Sequence, residues 1–276
     1  MNTVLKRVTV IMLIVVLALC TCSMMSFGAD KVKVVENSPY QGKTISILGD
    51  SISTFAGYIP EDDGMNLAHR AKYPNTELLK NVNQTWWMQL ILQLDATLGV
   101  NDSWAGSTVS NAIDGNMADW GEDAAMASLT RIQNLGSNGT PDVILFYGGT
   151  NDIGLDVVRG SFHPARANFE VDLESTKWTT FADAYADTLM RLQYFYPNAE
   201  IIAMLPTFTE VYYSDWELEF YNSLMMDICN HYGVRFIDLR DVGLTCNYMP
   251  DGIHPNAEGM DLITQAVQDV LLGITP

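Results

Sequence analysis

Basic residues are scarce in this chain of 276 amino acids. It has 15 Lys and Arg residues against 33 Asp and Glu residues, for a formal net charge of −18. Because so acidic a chain repels phosphate backbones, the charge excludes a nucleic-acid binder that works by counterion release. Apolar residues, by contrast, make up 48% of the chain, which excludes intrinsic disorder.

No apolar run is long enough for a typical transmembrane helix. The longest stretch, residues 8–19, is shorter than the roughly 20 residues that span a bilayer. A basic pair precedes it and a Ser-Phe-Gly-Ala segment follows it, so we predict a secretory signal peptide over residues 1–28 and a secreted protein. A permanent membrane anchor and lipidation at Cys20 or Cys22 are the less favoured alternatives.

Cysteine is scarce as well. Removal of residues 1–28 leaves two of the four cysteines, Cys229 and Cys246, and a net charge of −20, because that segment contains two basic residues and no acidic one. An exported protein can form a disulfide, but a domain of this size does not require one. The sequence leaves open whether the pair is bonded or Cys229 is simply buried on an apolar helix.

Internal repeats, low-complexity tracts and Pro/Gly/Ser-rich linkers are absent from residues 40–276. We therefore predict a lead-in over residues 29–42 and one domain over residues 43–276. Short apolar runs alternate with helical patterns, which is typical of a parallel sheet covered by helices. The predicted strands are 44–48, 100–103, 143–147, 201–205 and 234–238. The predicted helices are 86–98, 181–196, 218–231 and 256–272.

A candidate nucleophile follows the first predicted strand, in the sequence Gly49-Asp50-Ser51. Ser51 lies in a strand-to-helix turn, and loops at the carboxyl ends of parallel strands build the sites of open α/β sheets. Its hydroxyl is well placed to attack a carbonyl. The alternative is that Asp50, Ser51 or Ser53 only caps a helix.

A candidate base follows the last predicted strand. A serine hydroxyl needs an adjacent base that a third group orients. Asp251 and His254 share one short loop, so the carboxylate can reach Nδ1–H and leave Nε2 to accept the proton of Ser51. The alternative is an ordinary Asp-Gly turn beside an exposed histidine.

Candidate oxyanion donors follow two further strands. Asn151 comes after the strand at 143–147 and Gly106 after the short second strand, and the Ser51 N–H is a third donor. Singly, these residues also fit a turn, a helix cap or a bend. Together, four segments that follow separate strands predict one site at one edge of the sheet.

These four segments resemble the blocks of the SGNH, or GDSL-type, hydrolases. Gly49-Asp50-Ser51 resembles the first block, Gly106 the second, the Gly-Thr-Asn-Asp segment at 149–152 the third, and the Asp-Gly-Ile-His-Pro segment at 251–255 the last. The resemblance covers residues 43 to about 272. One departure, Ile52 where leucine is commoner, is a conservative apolar change.

The resemblance implies a flavodoxin-like, three-layer α/β/α sandwich with a mainly parallel five-stranded sheet. It implies a serine esterase with Ser51 as nucleophile, His254 as base and Asp251 as its orienting group. Ser51, Gly106 and Asn151 would form the oxyanion hole. The family works through an acyl-enzyme without a metal or organic cofactor.

The substrate is less constrained, because the family includes lipases, arylesterases, thioesterases and carbohydrate deacetylases. Export, the lack of a long apolar lid in the sequence and aromatic residues in the predicted loops favour carbohydrate. The loop aromatics are Tyr58, Trp104, Trp120, Tyr212 and Trp216, and the candidate substrate contacts are Asp50, Tyr58, Trp104 and Tyr212.

Residues 42–83 also resemble a subgroup of exported bacterial SGNH proteins linked to plant-polysaccharide degradation. This implies removal of small acyl groups, above all acetyl, from a polysaccharide such as xylan. The alternatives are an exported lipase or arylesterase and a non-catalytic carbohydrate-binding domain. The acidic run at 61–63 is interpreted as solvated surface rather than a calcium site. The oligomeric state stays open.

Overall fold

The computed structural model describes residues 33–60, 71–74, 77–111, 122–164 and 171–274. The chain from Val34 onward forms one compact unit. The predicted signal peptide, the acidic run at 61–63 and Trp120 lie outside the described residues. Within this unit, Tyr40 of the predicted lead-in packs against the domain, with its hydroxyl 2.9 Å from Glu200 Oε2 and 3.0 Å from the Leu271 carbonyl oxygen.

A parallel sheet forms the centre of the described domain. Its five strands lie in the spatial order β2-β1-β3-β4-β5, and each neighbouring pair is parallel. This is the doubly wound order in which the direction of winding reverses between β1 and β3. The strands are β1 (Thr44–Gly49), β2 (Thr97–Ser103), β3 (Val143–Tyr147), β4 (Glu200–Leu205) and β5 (Arg235–Asp238).

Helices cover both faces of the sheet. Side chains alternate along a strand, so Ile144 and Phe146 of β3 enter one apolar core while Leu145 and Tyr147 enter the other. In the described ranges the α-helices are α1 (Trp86–Leu94), α2 (Leu129–Asn134), α3 (Thr150–Gly154), α4 (Phe181–Phe195), α5 (Asp215–Tyr232) and α6 (Ala257–Leu271). Helices α2, α4 and α5 pack on the first core, and α1 and α6 on the second. The predicted three-layer α/β/α fold is confirmed. None of the helices in the described ranges is long and apolar enough to cross a bilayer.

The boundary between α1 and β2 differs from the prediction. The helix predicted over 86–98 ends at Leu94, because Asp95 adopts a left-handed conformation with φ 52°. Leu98 matches the helical spacing of apolar residues but belongs to β2, which begins at Thr97. An apolar residue at that position fits both periodicities, so the pattern alone placed it in the wrong element.

Other local predictions were incomplete. The short helices α2 and α3 were not predicted, and α5 begins three residues before the predicted start, at a capping box between Ser214 and Glu217. The two cysteines are not disulfide-bonded. Cys229 is buried on α5 and Cys246 is exposed.

The strands end at nearly the same level, and this brings the loops after them together. Gly49 at the end of β1 is in register with Ser103 of β2 and Tyr147 of β3. Gly49 also leaves no space for a side chain, since a Cβ atom there would lie 2.8 Å from Ser53 Oγ and 2.9 Å from Ser103 Oγ. The sheet edge beyond Gly49 is where the candidate site lies.

Candidate active site

A tight turn presents Ser51 at the end of β1. Residues Ser51–Ser53 form one turn of 3₁₀ helix rather than the start of a long helix. Asp50 Oδ1 accepts a hydrogen bond from the Ile52 N–H at 3.0 Å, and Thr54 Oγ1 donates to the Ser51 carbonyl at 2.8 Å. These bonds fix the backbone on both sides of the serine.

The loop after β5 brings a histidine and a carboxylate to this serine. His254 Nε2 lies 2.9 Å from Ser51 Oγ, and Nδ1 lies 2.9 Å from Asp251 Oδ2. The other carboxylate oxygen accepts the backbone N–H groups of His254 at 2.7 Å and Ile253 at 3.2 Å. An ionised Asp251 therefore favours the tautomer with hydrogen on Nδ1, which leaves Nε2 free to accept a proton.

Lys72, which belongs to none of the predicted motifs, completes this cluster. Its Nζ lies 2.9 Å from Asp251 Oδ2. Burial raises the pKa of Asp251, but hydrogen bonds from Lys72 and from the His254 backbone outweigh it and hold the pKa well below its usual range. Burial lowers the pKa of His254 below its ordinary value, Asp251 opposes this shift and Lys72 adds to it. The only indication of Lys72 in the sequence is that it is one of the few basic residues in a strongly acidic chain.

The predicted oxyanion donors Asn151 and Gly106 follow β3 and β2, the two strands that flank β1. Asn151, at the start of α3, donates from Nδ2 to the Ser107 carbonyl at 2.9 Å and accepts from the Tyr212 hydroxyl at 3.2 Å. These two bonds fix the orientation of its amide. Gly106 has φ +81° in the turn after β2. Among the described residues, no backbone acceptor is seen for the N–H group of Ser51 or of Gly106.

Buried polar groups hold the loops of this site. Asp152 accepts the backbone N–H groups of Val109 at 2.8 Å and Ser110 at 3.2 Å, and so ties the loop after β2 to α3. Arg131 pairs with Asp102 at 3.0 Å and donates to the Gly49 carbonyl at 2.9 Å. No pattern in the sequence distinguished these residues from surface charges.

Two buried carboxyl groups have raised pKa values. Burial raises the pKa of Asp152 to about 7, against the opposing hydrogen bonds from the Val109 and Ser110 backbones. Burial likewise raises the pKa of Asp50 to about 6, against the hydrogen bond from Ile52. Within the described ranges, no three His, Cys, Asp or Glu side chains are grouped as metal ligands would be.

Comparison with known proteins identifies the family. The family model described as GDSL-like lipase/acylhydrolase matches residues 43–271. The chain belongs to the GDSL-like lipase/acylhydrolase family. The predicted resemblance is therefore confirmed, and this GDSL hydrolase is a carboxylic ester hydrolase.

Solved structures with similar sequences support the assignment. A protein named as a GDSL-like lipase from Bacteroides uniformis is 31% identical, with a TM-score of 0.63 over 84% of this chain and 97% of its own. A second, from Bacteroides ovatus, is 29% identical, with a TM-score of 0.63 over 84% of this chain and 99% of its own. No curated protein matches the sequence.

Two of the predicted substrate contacts of this GDSL hydrolase are buried, and their contact with a substrate stays a prediction. Asp50 is fully buried. Trp104 is 7% exposed, with the Arg131 guanidinium 4.7 Å from its ring. Both residues were predicted to lie near Ser51 because of their positions in the sequence, but a position in the sequence does not show whether a side chain is buried.

The remaining aromatic candidates have different positions. Tyr212 lies beside Asn151, at the site. Tyr58 is 43% exposed and contacts Phe55 and Trp87, with ring centroids 6.0 Å away in each case. Trp216, near the start of α5, is 69% exposed.

Proposed function

We propose that this enzyme removes small acyl groups, above all acetyl, from a plant polysaccharide such as xylan. Ser51 is the nucleophile, His254 the base and Asp251 the group that orients it. One observation carries the proposal: the hydrogen-bonded chain from Ser51 Oγ through both nitrogens of His254 to Asp251, with 2.9 Å at each step. This is the geometry that a serine hydrolase requires.

The reaction follows from this arrangement. Ser51 Oγ attacks the ester carbonyl while His254 Nε2 takes its proton, and the carbonyl oxygen becomes an oxyanion. The N–H groups of Ser51 and Gly106 and the Asn151 amide stabilise that charge. The sugar hydroxyl leaves with the proton from His254, and an acyl-enzyme remains. Water then attacks by the same route, which releases the carboxylic acid and restores Ser51.

An exposed aromatic stack supports a carbohydrate substrate. Trp216 stacks on Phe220 with ring centroids 5.0 Å apart and an interplanar angle of 15°. The Arg159 guanidinium lies 3.9 Å from the centroid of the Phe220 ring. Trp216 lies four residues after Tyr212, whose hydroxyl donates to Asn151 Oδ1. A rigid, flat ring with an open face is suited to stacking on a sugar.

Export agrees with this substrate, because an extracellular polysaccharide is out of reach of an enzyme retained in the cell. The proposal therefore includes the signal peptide at 1–28 and secretion of the domain. Similarity to proteins named as GDSL-like lipases favours a second candidate, a lipase or arylesterase that uses the same residues on longer acyl or aryl esters.

Hydrolysis by wild type and Ser51→Ala tests the proposal. The substrates are p-nitrophenyl acetate, butyrate and octanoate, and acetylated xylan with acetate release as the readout. We expect a preference for acetate and a loss of at least about 10⁴-fold in Ser51→Ala, because the nucleophile is removed. Ser53→Ala is the matched control, since it removes another hydroxyl from the same turn.

The outcomes separate the candidates. Octanoate preference would favour the lipase, and hydrolysis that persists in Ser51→Ala would refute the mechanism. Binding of xylan without Ser51-dependent hydrolysis would favour a carbohydrate-binding domain. Trp216→Ala tests whether the natural substrate is a polymer. This variant should release acetate from xylan more slowly than wild type and should hydrolyse p-nitrophenyl acetate at the wild-type rate.

A further inference from the structure

Residues 71–74 connect the two loops that carry Ser51 and His254. The Lys72 N–H donates to Thr54 Oγ1 at 2.9 Å, and the Ala56 N–H donates to the Tyr73 carbonyl at 2.8 Å. On the other side, the Tyr73 hydroxyl donates to the Pro255 carbonyl at 2.8 Å. The backbone of Lys72 is thus held by the first loop directly and by the second loop through its neighbour Tyr73, so its side chain has a defined place at the site.

That side chain contacts the same carboxylate oxygen as the histidine. Lys72 Nζ and His254 Nδ1 each lie 2.9 Å from Asp251 Oδ2. If His254 became protonated, its positive ring would lie a few ångströms from the ammonium group and would share one negative oxygen with it. The Lys72 and Asp251 side chains are 31% and 34% exposed, so solvent screens this repulsion only in part.

We propose that Lys72 is a positioning residue that keeps His254 neutral to lower pH, and so extends ester hydrolysis into mildly acidic conditions. The proposal rests on the assignment of His254 as the base. Lys72 acts through Asp251 and His254 and does not itself contact the reacting atoms.

The charges around His254 support this role for Lys72. Asp251 and Lys72 are the charged groups that face its ring from the described segments packed against it. Ser51 and Tyr73 are neutral neighbours, the latter with its ring centroid 6.3 Å away and a pKa that burial raises well above the usual value. A nearby positive charge disfavours the charged form of an imidazole, so loss of Lys72 raises the pKa of His254.

The pH dependence of kcat/KM on p-nitrophenyl acetate tests this role. Wild type, Lys72→Met and Lys72→Arg are compared from pH 4.5 to 9. We expect Lys72→Met to move the acid limb upward by about 0.5–1 pH unit, a roughly three- to tenfold loss at the acid end, with a plateau close to wild type. Lys72→Arg should restore the wild-type limb. Lys43→Met is the matched control, because it removes a lysine whose ion pair is with Asp142, away from the site.

An acid limb that does not move in Lys72→Met would overturn the proposal. A loss that is equal at all pH values, with a lower Tm, would also overturn it and assign Lys72 a structural role alone. Absence of Ser51-dependent hydrolysis in wild type would instead refute the proposed function. NMR titration of the His254 ring in wild type and Lys72→Met, assigned with His254→Gln, measures the coupling without activity.

Discussion

The two halves of the site differ in the burial and the pKa values of their carboxyl groups. The base half consists of Asp251, His254 and Lys72, is partly exposed and keeps an ionised carboxylate whose pKa lies below its usual range. The oxyanion half contains the carboxyls of Asp50 and Asp152, which are fully buried, with pKa values raised to about 6 and about 7.

The difference shows what each half requires. A histidine that accepts a proton needs a fixed negative charge nearby, and two donors to one oxygen of Asp251 preserve that charge. The oxyanion half must stabilise a negative charge that develops during reaction, so a permanent charge beside it would oppose the chemistry. Burial raises the pKa values of its carboxyls, so each keeps its proton to a higher pH than a free aspartate does, and they act as acceptors that hold loops.

Removal of the charge from the base half should have the largest effect. We expect Asp251→Asn to lower kcat/KM by about 10⁴-fold at pH 8, because an amide neither stabilises the imidazolium nor enforces the required tautomer. Hydrolysis of p-nitrophenyl acetate measures it, with Asp142→Asn on the surface as a control. A loss below tenfold would show that His254 does not depend on this carboxylate.

Removal of a donor from the oxyanion half should have a smaller effect. We expect Asn151→Ala to lower kcat by about 10²–10³-fold with little change in KM, because the amide binds the charge that develops only in the transition state. Tyr212→Phe is the comparison, since it removes only the hydroxyl that orients Asn151 and should cost less than about tenfold. An equal loss in both variants, or a loss mainly in KM, would contradict this role for the amide.

Much of the fold and of the candidate site could be predicted from the sequence. The strand at 143–147 was predicted with the bounds that the structure has, because a β-branched and aromatic run is unambiguous. Ser51, Asn151 and His254 were expected at one sheet edge because each follows a strand, and strand ends in a parallel sheet converge. Asp251 was likewise expected beside His254 because the two residues are close in sequence.

The features of the site that could not be predicted from the sequence depend on contacts between distant segments. Lys72 reaches Asp251 across 179 positions, and Asp152 binds the backbones of Val109 and Ser110 more than 40 positions earlier. The periodicity of apolar residues gives no information about which distant residues form such pairs. Burial was the other difficulty, since Asp50 and Trp104 lie beside site residues in sequence yet are enclosed by the fold.

The pH dependence of stability should separate the two kinds of carboxyl. Asp50 has a folded pKa raised from 3.8 to about 6, so the unfolded chain loses this proton first and stability falls as pH rises between these values. At about 1.4 kcal/mol per pKa unit, the loss amounts to at most roughly 3 kcal/mol. Asparagine cannot ionise, so Asp50→Asn should gain stability relative to wild type between pH 4.5 and pH 8, as urea unfolding at each pH measures.

Asp142 is the matched control because its shift has the opposite sign. Hydrogen bonds from Lys43 and the Thr44 backbone lower the pKa of this surface carboxyl, so its contribution is present at neutral pH and is lost as pH falls. Because this shift lies below the ordinary value of 3.8, the difference in stability between Asp142→Asn and wild type should stay nearly constant from pH 4.5 to pH 8, and it should be smaller than the gain of Asp50→Asn, since solvent screens the pair. If Asp50→Asn showed the same difference from wild type at both pH values, the pKa of Asp50 would not be raised by folding, and the contrast between the two halves of the site would not hold.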